Sequence, residues 1–212
     1  ELFAQLGAEP VRVTPEEAEL AKLFTNSWRY IKFAIANQFY VMATNAGVDY
    51  ENVRHAITHN YPRAKDLPRA GFAAGPCLLK DTMQLAAFSN NAFHLGHSAM
   101  LVNEGLPLFL VEQIEKEHDL SSLTVGILGM AFKGDSDDPR SSLSYKLRRI
   151  LRFRAQDVLC SDPHMFDDPS FVTQEELLEK CDVVVIGAPH SAYKALTTTQ
   201  PLFDIWKIAG TA

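Results

Sequence analysis

The chain has 212 residues, an apolar fraction of 47% and a net charge of −6. This length suits one large or two small globular domains, and the acidic balance argues against nucleic-acid binding, which requires a basic surface. The sequence contains no apolar run of about 18 residues, so no membrane-spanning helix is predicted. The three cysteines and seven histidines do not cluster at metal-ligand spacing, which predicts no metal site and favours a reducing, cytoplasmic setting.

A long first helix is predicted from Thr14 to about Ala46, after an amphipathic and then extended segment over residues 1–13. Thr14-Pro15-Glu16-Glu17 combines a capping threonine, a proline at the first helical position and a capping-box glutamate, and Gly47 is a typical C-terminal stop. Apolar residues recur three and four positions apart along this helix, namely Leu20, Leu23, Phe24, Trp28, Ile31, Ile35, Phe39 and Met42. So wide an apolar arc indicates a helix that is buried or lies in an interface.

A second helix is predicted from Tyr50 to about His59, with Asp49 as its cap. A loop follows it, and four cations surround this loop in an otherwise acidic chain: Arg63, Lys65, Arg69 and Lys80. The cations are either ordinary solubility charge or part of a loop that closes over a diphosphate.

The loop from Gly71 to Cys77 is rich in small residues and leads directly into an apolar, helix-like segment. This order predicts that Cys77 lies at the positive end of a helix dipole, which favours the nucleophilic thiolate. Lys80 adds a positive charge within one turn, and Asp81 places a carboxylate beside it. A lone cysteine is more often a small buried hydrophobic residue, so the loop alone leaves both interpretations open.

The helix that begins at Leu78 is predicted to run to about Asn103, to break near Gly105-Leu106-Pro107, and to resume as far as Glu117. Alanine and glycine residues along it permit the close approach of another helix. The same residues fit either a bundle within one chain or an interface between two chains.

The second half alternates strands and helices after a linker at residues 118–123. Strands are predicted at 124–129, 157–161, 182–188 and 201–206, and helices at 142–153, 174–180 and 191–196. The continuous apolar run Val183–Ile186 is typical of a strand buried on both faces, which indicates a Rossmann-like parallel sheet. Gly126 and Gly129 do not form a Gly-x-Gly-x-x-Gly fingerprint, and the acidic residues 135–138 would repel a diphosphate. We therefore do not expect NAD to bind this sheet alone.

Three motifs, in this order along the chain, resemble the UDP-glucose/GDP-mannose dehydrogenase family. Residues 18–26 resemble its Ala-Glu-x-x-Lys-x-x-x-Asn helix, and residues 75–81 resemble its Gly-x-Cys-x-x-Lys-Asp signature. Residues 125–133, with 137–141, resemble the start of its C-terminal domain. The resemblance implies an α/β protein with an all-helical central dimerisation domain at 14–118 and a Rossmann-like nucleotide-sugar-binding domain at 119–212. Residues 1–13 would be the remnant of an N-terminal NAD-binding domain that this chain lacks.

The resemblance also implies a nucleotide-sugar 6-dehydrogenase that uses NAD and a Cys77 thiohemiacetal and thioester. Lys22 and Asn26 share one helix face and suit an ordinary surface when taken alone. In the family they stabilise oxyanions, while Asp81 orients or deprotonates water. The implied substrate-binding residues are Arg63, Phe72, Gly75, Phe132, Lys133 and Lys207, and the implied cofactor-binding residues are Lys80 and Arg140.

Two departures from the family pattern concern these residues. Gly71-Phe72-Ala73-Ala74-Gly75 is one residue longer than the commoner Gly-Phe-Gly-Gly form. Arg140-Ser141-Ser142 stands where the family continues Arg-Glu-Ser, which removes a carboxylate beside the arginine.

The resemblance further implies a homodimer formed through the central helices, and we expect the 212-residue chain to be inactive alone. UDP-glucose and N-acetylated UDP-sugars are the favoured substrate classes, and GDP-mannose remains open. Two alternatives are a non-catalytic dimerisation and nucleotide-binding module and a cysteine hydrolase that uses Cys77.

Overall fold

The computed structural model describes residues 7, 9–165 and 168–210, so most of the predicted amphipathic segment at residues 1–7 lies outside the described residues. The first half is helical and the second half is an α/β layer, as expected. The helices are α1 (Pro15–Asn45), α2 (Tyr50–Thr58), α3 (Leu78–Phe88), α4 (His94–Glu117), α5 (Leu143–Leu151) and α6 (Gln174–Lys180). The strands are β1 (Thr124–Leu128), β2 (Asp157–Ser161), β3 (Val183–Ile186) and β4 (Leu202–Phe203).

The first helix begins and ends where the sequence predicts. The Thr14 hydroxyl accepts from the Glu17 amide at 3.3 Å, and the Glu17 carboxylate accepts from the Thr14 amide at 2.7 Å. These reciprocal bonds satisfy two of the amides that a helix N-terminus leaves free. Gly47, just beyond the helix, has a φ of 71°. Glycine adopts this left-handed conformation without the steric cost that other residues incur.

The predicted break in the third helical segment is misplaced. Helix α4 continues through Pro107, and the break lies before it, at residues 89–93. Asn90 and Asn91 adopt left-handed conformations there, with φ values of 50° and 60°. Asparagine tolerates this conformation better than most residues, so it ends a helix efficiently. Leu106 and Pro107 are buried, and their packing offsets the local cost of a proline inside a helix.

The sheet is parallel, with the strand order β2-β1-β3-β4. All four residues of β3 are buried, as their continuous apolar character predicts. Strand β4 is shorter than the predicted span of 201–206. The Asp204 carboxylate accepts hydrogen bonds from the amides of Trp206, Ile208 and Ala209, at 2.8–2.9 Å, and this turn ends the strand.

One hydrophobic core joins the two halves. Helix α4 packs against helix α5, and the shared core contains Leu106, Leu110, Ile114, Leu143, Leu147 and Leu151. This continuous packing sets the position of the cysteine loop relative to the sheet.

The apolar stripe of α1 faces solvent in the single chain. Phe24, Trp28 and Met42 are 53%, 56% and 60% exposed, whereas Tyr30 and Asn37 on the opposite side are fully buried. Of the two alternatives predicted for this helix, burial within one chain does not apply to this stripe, and location in an interface stays a prediction. Among the described residues, no helix is both long and apolar enough to cross a membrane.

Candidate active site

Cys77 lies at the N-terminal end of α3, where the sequence predicts it. The thiol is exposed and free of disulfide bonding, and its backbone carbonyl accepts the Asp81 amide at 2.8 Å in the first turn. The amides at a helix N-terminus and the helix dipole stabilise negative charge at this position. Cys77 is therefore an exposed residue at a helix N-terminus rather than a buried structural cysteine.

The side chains of Lys22, Asn26 and Lys80 converge on the buried carboxylate of Asp81. One Asp81 oxygen accepts hydrogen bonds from the Lys22 ammonium and, at 2.5 Å, from the Asn26 amide. The other lies 3.1 Å from the Lys80 ammonium. Burial alone would raise the pKa of Asp81, but the hydrogen bonds from Lys22, Asn26 and Lys80 hold that pKa at about 2. Asp81 is therefore ionised at neutral pH.

The charge of an ionised Cys77 affects the pKa of two nearby cations, Lys22 and Arg140. The hydrogen bond to Asp81 chiefly raises the pKa of Lys22, and an ionised Cys77 raises it further. The hydrogen bond to Asp138 chiefly raises the pKa of Arg140, to which Cys77 also contributes. Arg140 grips both oxygens of Asp138 at 2.6–3.0 Å. Asp138 thus supplies the carboxylate that the Arg140-Ser141-Ser142 sequence lacks beside the arginine.

Gly75 brings the cysteine loop against the sheet half. Its φ is 103°, and a Cβ atom at this position would lie 2.7 Å from the Phe132 ring. The Gly75 amide also donates to the Ser141 carbonyl at 3.3 Å. Lys133 places its ammonium 5.5 Å from the centre of the Phe132 ring. The loop that carries Cys77 and the loop that follows β1 therefore meet at one junction.

A buried amide pair anchors the start of the cysteine loop, and the sequence analysis missed it. The Asn37 side chain donates to the Gly71 carbonyl at 3.0 Å and accepts from the Gly71 amide at 2.9 Å. It also donates to Asn103, which in turn donates to the Tyr30 carbonyl. Asn37 follows Asn26 by three helical turns and so shares its face, and this spacing within an apolar helix was the available signal.

Three predicted substrate-binding residues are not members of the Asp81 cluster. Phe72 is 5% exposed and packs edge-on against Trp206, so its side chain belongs to the core. Arg63 is exposed on the loop after α2. Lys207 pairs with Asp49 at 3.1 Å.

The structure also brings together histidines and carboxylates that show no ligand spacing in the sequence. Asp135, His164 and His190 offer ligand atoms within 4.8 Å of one another. Sequence spacing does not reveal this group, because the ends of separate strands bring its members together.

Comparison with known proteins agrees with this architecture. Residues 16–105 match the central domain of the UDP-glucose/GDP-mannose dehydrogenase family, and residues 126–210 match its UDP binding domain. The UDP-N-acetyl-D-mannosamine dehydrogenase of Pyrococcus horikoshii is 34% identical over 186 residues, which is 84% of this chain and 43% of that protein. That of Methanocaldococcus jannaschii is 33% identical over 183 residues, which is 84% of this chain and 41% of that protein.

A solved structure of a UDP-glucose dehydrogenase from Pyrobaculum islandicum superposes with a TM-score of 0.87 at 26% identity, and the match covers 99% of this chain and 52% of that one. The chain thus spans about half the length of the relatives that it matches. Its two matched domains follow each other in the order that the three sequence motifs indicate. The chain therefore belongs to the UDP-glucose/GDP-mannose dehydrogenase family, of which it carries the central and UDP-binding domains.

Proposed function

We propose that this chain forms the catalytic and nucleotide-sugar-binding part of an NAD-dependent nucleotide-sugar 6-dehydrogenase, with the central domain at 14–118 and the nucleotide-sugar domain at 119–212. The observation that carries the proposal is the exposed Cys77 at a helix N-terminus, beside the cluster of Lys22, Asn26 and Asp81. The names of the relatives support a nucleotide sugar as the substrate.

In the proposed reaction, the Cys77 thiolate adds to the C6 aldehyde of the substrate and forms a thiohemiacetal. Oxidation of that adduct gives a thioester, which water hydrolyses to the uronate while the thiolate leaves. A covalent sulfur intermediate divides one difficult oxidation into feasible steps. Lys22 and Asn26 donate to the oxygen that gains negative charge at each addition, and Asp81 orients or deprotonates the water.

NAD⁺, when bound, supplies the hydride acceptor for the alcohol and for the thiohemiacetal. The turn after β1 does not suit its diphosphate, because Asp135 and Asp138 occupy that turn. Lys80 and Arg140 have side chains that are 64% and 71% exposed beside the cysteine loop, so they can reach an anionic cofactor held elsewhere. We therefore propose that the NAD⁺ diphosphate is held outside the turn after β1.

On the substrate side, we assign Phe132 and Lys133 to the nucleotide and the backbone near Phe72 and Gly75 to the sugar diphosphate. Arg63 is exposed, and its side chain has no hydrogen bond or ion pair with any residue that the structure describes, so it can turn toward the diphosphate. Lys207 would have to break its ion pair with Asp49 in order to bind the substrate. The relatives make UDP-N-acetyl-D-mannosamine and UDP-glucose the first substrates to test.

We propose that the chain forms a homodimer through the exposed apolar stripe of α1. Phe24, Trp28 and Met42 form this stripe together with the partly exposed Ile35 and Phe39. Phe88, at the end of α3, is 74% exposed, and it lines an apolar depression with Phe24 and Trp28. Contiguous apolar surface of this kind is typical of a protein interface.

The decisive experiment compares Cys77→Ala with the wild type in an enzyme that includes the NAD-binding domain. We expect the wild type to release two NADH for each uronate and the variant to lose at least about a thousandfold in uronate production. Cys160→Ala is the matched control, because Cys160 is buried in the sheet, and it should remain active.

Equal uronate production by Cys77→Ala and the wild type would exclude the covalent mechanism. An inactive wild type that still binds UDP would instead favour the non-catalytic nucleotide-binding module.

A further inference from the structure

A buried carboxylate and a buried histidine meet at the carboxyl ends of the sheet strands. Asp162 directly follows β2, and His190 lies shortly after β3. The Nε2 atom of His190 is 3.1 Å from an Asp162 oxygen, and both side chains are fully buried. The carboxyl edge of a parallel sheet is where ligands bind in open α/β folds, so this pair lies beside the expected nucleotide site.

Asp162 fixes the beginning of the loop that follows β1. Its Oδ2 atom accepts the amides of Met130 and Ala131, at 2.6 and 3.0 Å. Its Oδ1 atom accepts the amide of His164 at 2.9 Å. One carboxylate therefore holds the two residues immediately before Phe132.

His190 fixes the end of the same loop. Its Nδ1 atom accepts the Asp135 amide at 3.0 Å. A ring nitrogen that accepts a hydrogen bond carries no proton, so this bond assigns the proton to Nε2, which donates to Asp162. The Asp135 carboxylate in turn accepts the amide and the hydroxyl of Ser191, at 2.8 and 2.9 Å.

These contacts argue against a metal ion at the group formed by Asp135, His164 and His190. Both ring nitrogens of His190 already take part in hydrogen bonds, so neither offers a lone pair to a metal. The Asp135 oxygen nearest to His164 is the one that accepts from Ser191. The group is better explained as a clamp on the protein backbone.

We propose that Asp162 and His190 are positioning residues for the nucleotide end of the substrate. Together they hold residues 130–135 at both ends, so that Phe132 and Lys133 are presented in a fixed conformation. The inference rests on the proposed function, in which Phe132 and Lys133 contact the nucleotide. Phe132 packs against Gly75 of the cysteine loop, but Cys77 is held by its own first-turn bond to Asp81, so the clamp should control nucleotide affinity more strongly than thiol reactivity.

The test measures UDP binding by calorimetry and the alkylation rate of Cys77 by iodoacetamide, with peptide mapping, on the same preparations of the chain. We expect His190→Leu and Asp162→Asn to weaken UDP binding by about tenfold or more. His190→Leu leaves the Asp135 amide without its acceptor, and Asp162→Asn leaves one acceptor oxygen for three backbone amides. Alkylation of Cys77 should stay within about twofold of the wild type, since the first turn of α3 is held by the bond between the Asp81 amide and the Cys77 carbonyl.

His164→Ala is the matched control, because its imidazole lies 4.8 Å from that of His190 but its ring holds none of the loop amides. If His190→Leu does not fold, His190→Gln decides. Its amide nitrogen can still donate to Asp162, but its oxygen does not occupy the position of Nδ1 and so holds the Asp135 amide less well. We expect its UDP binding to be about threefold weaker.

Unchanged UDP affinity in the folded clamp variants, or an equal loss in His164→Ala, would overturn the inference while leaving the proposed function intact. The inference also fails if Cys77 alkylation slows as much as UDP binding weakens, because that result indicates general loosening. Absence of UDP binding by the wild-type chain would contradict the proposed function, and this inference with it.

Discussion

Asp81 in the helical half and Asp162 in the sheet half are both buried carboxylates, but their partners differ. Asp81 is held by side chains, and two of these belong to lysines that are 56% and 64% exposed. Asp162 is held by backbone amides and by a histidine that is itself fully buried. An exposed ammonium can exchange one partner for another, whereas a buried backbone amide has no alternative partner.

This difference suggests that the helical half and the sheet half have different roles in one site. The helical half supplies groups that can change hydrogen-bond partners as charge develops on a substrate. The sheet half supplies a loop whose shape is fixed. Changes at Asp81 should therefore alter the rate of the reaction, and changes at Asp162 should alter binding.

The largest expected effect is that of Asp81→Asn on turnover. Loss of the carboxylate removes the group that orients water and leaves Lys22 and Asn26 without their anchor. We expect kcat to fall about a hundredfold in an enzyme that includes the NAD-binding domain. In Asp162→Asn, kcat should stay within about threefold while KM rises. Equal losses of kcat in the two variants would remove the distinction between the halves.

The next effect concerns the anchor of the cysteine loop. Asn37→Leu should lower the free energy of unfolding by about 2–3 kcal/mol, because it leaves the Gly71 backbone groups and the Asn103 side-chain oxygen buried without partners. Urea denaturation measures this change. The neighbouring Gln38 is exposed, so Gln38→Leu should change stability by less than about 0.5 kcal/mol. A loss of stability in Asn37→Leu no greater than in this control would show that the amide pair does not hold the loop.

A smaller effect appears in acid. The pKa of Asp81 is about 2 in the folded protein against an ordinary value of 3.8. A depressed pKa stabilises the fold above pH 3.8, and this contribution is lost as the pH falls from about 4 to 2. After allowance for the exposed lysines, we expect about 1 kcal/mol. Urea denaturation at pH 5 and pH 2.5 should show this loss in the wild type and a smaller one in Asp81→Asn. The same loss in both proteins would contradict the assignment.

The smallest effect is expected from Lys207→Ala. The Lys207 side chain is 53% exposed and pairs with Asp49 at 3.1 Å, so its loss should change the unfolding free energy by less than about 0.5 kcal/mol. If Lys207 also contacts the sugar, KM should rise about threefold with kcat unchanged. Lys180→Ala removes a comparable surface pair with Glu176 and should change neither quantity. A KM equal to that of the wild type would contradict the assignment of Lys207 to the substrate site.

The sequence by itself determined the features that depend on neighbouring residues. The capping box at Thr14, the stop at Gly47 and the position of Cys77 before α3 were all predicted, because these signals act within about one helical turn. Strands β1 and β3 were also predicted, because an apolar run that will be buried on both faces is visible locally. The misplaced break shows the limit, because packing around Leu106 and Pro107 overrode a strong local signal.

Only the tertiary structure decided which distant groups meet. Asn37 reaches Gly71 across 34 positions, and His190 reaches Asp162 across 28. It also decided that the apolar stripe of α1 faces solvent while Asp81 is buried. A sequence lists the donors, acceptors and apolar side chains, but whether each is satisfied or exposed depends on the packing of segments far apart in the chain.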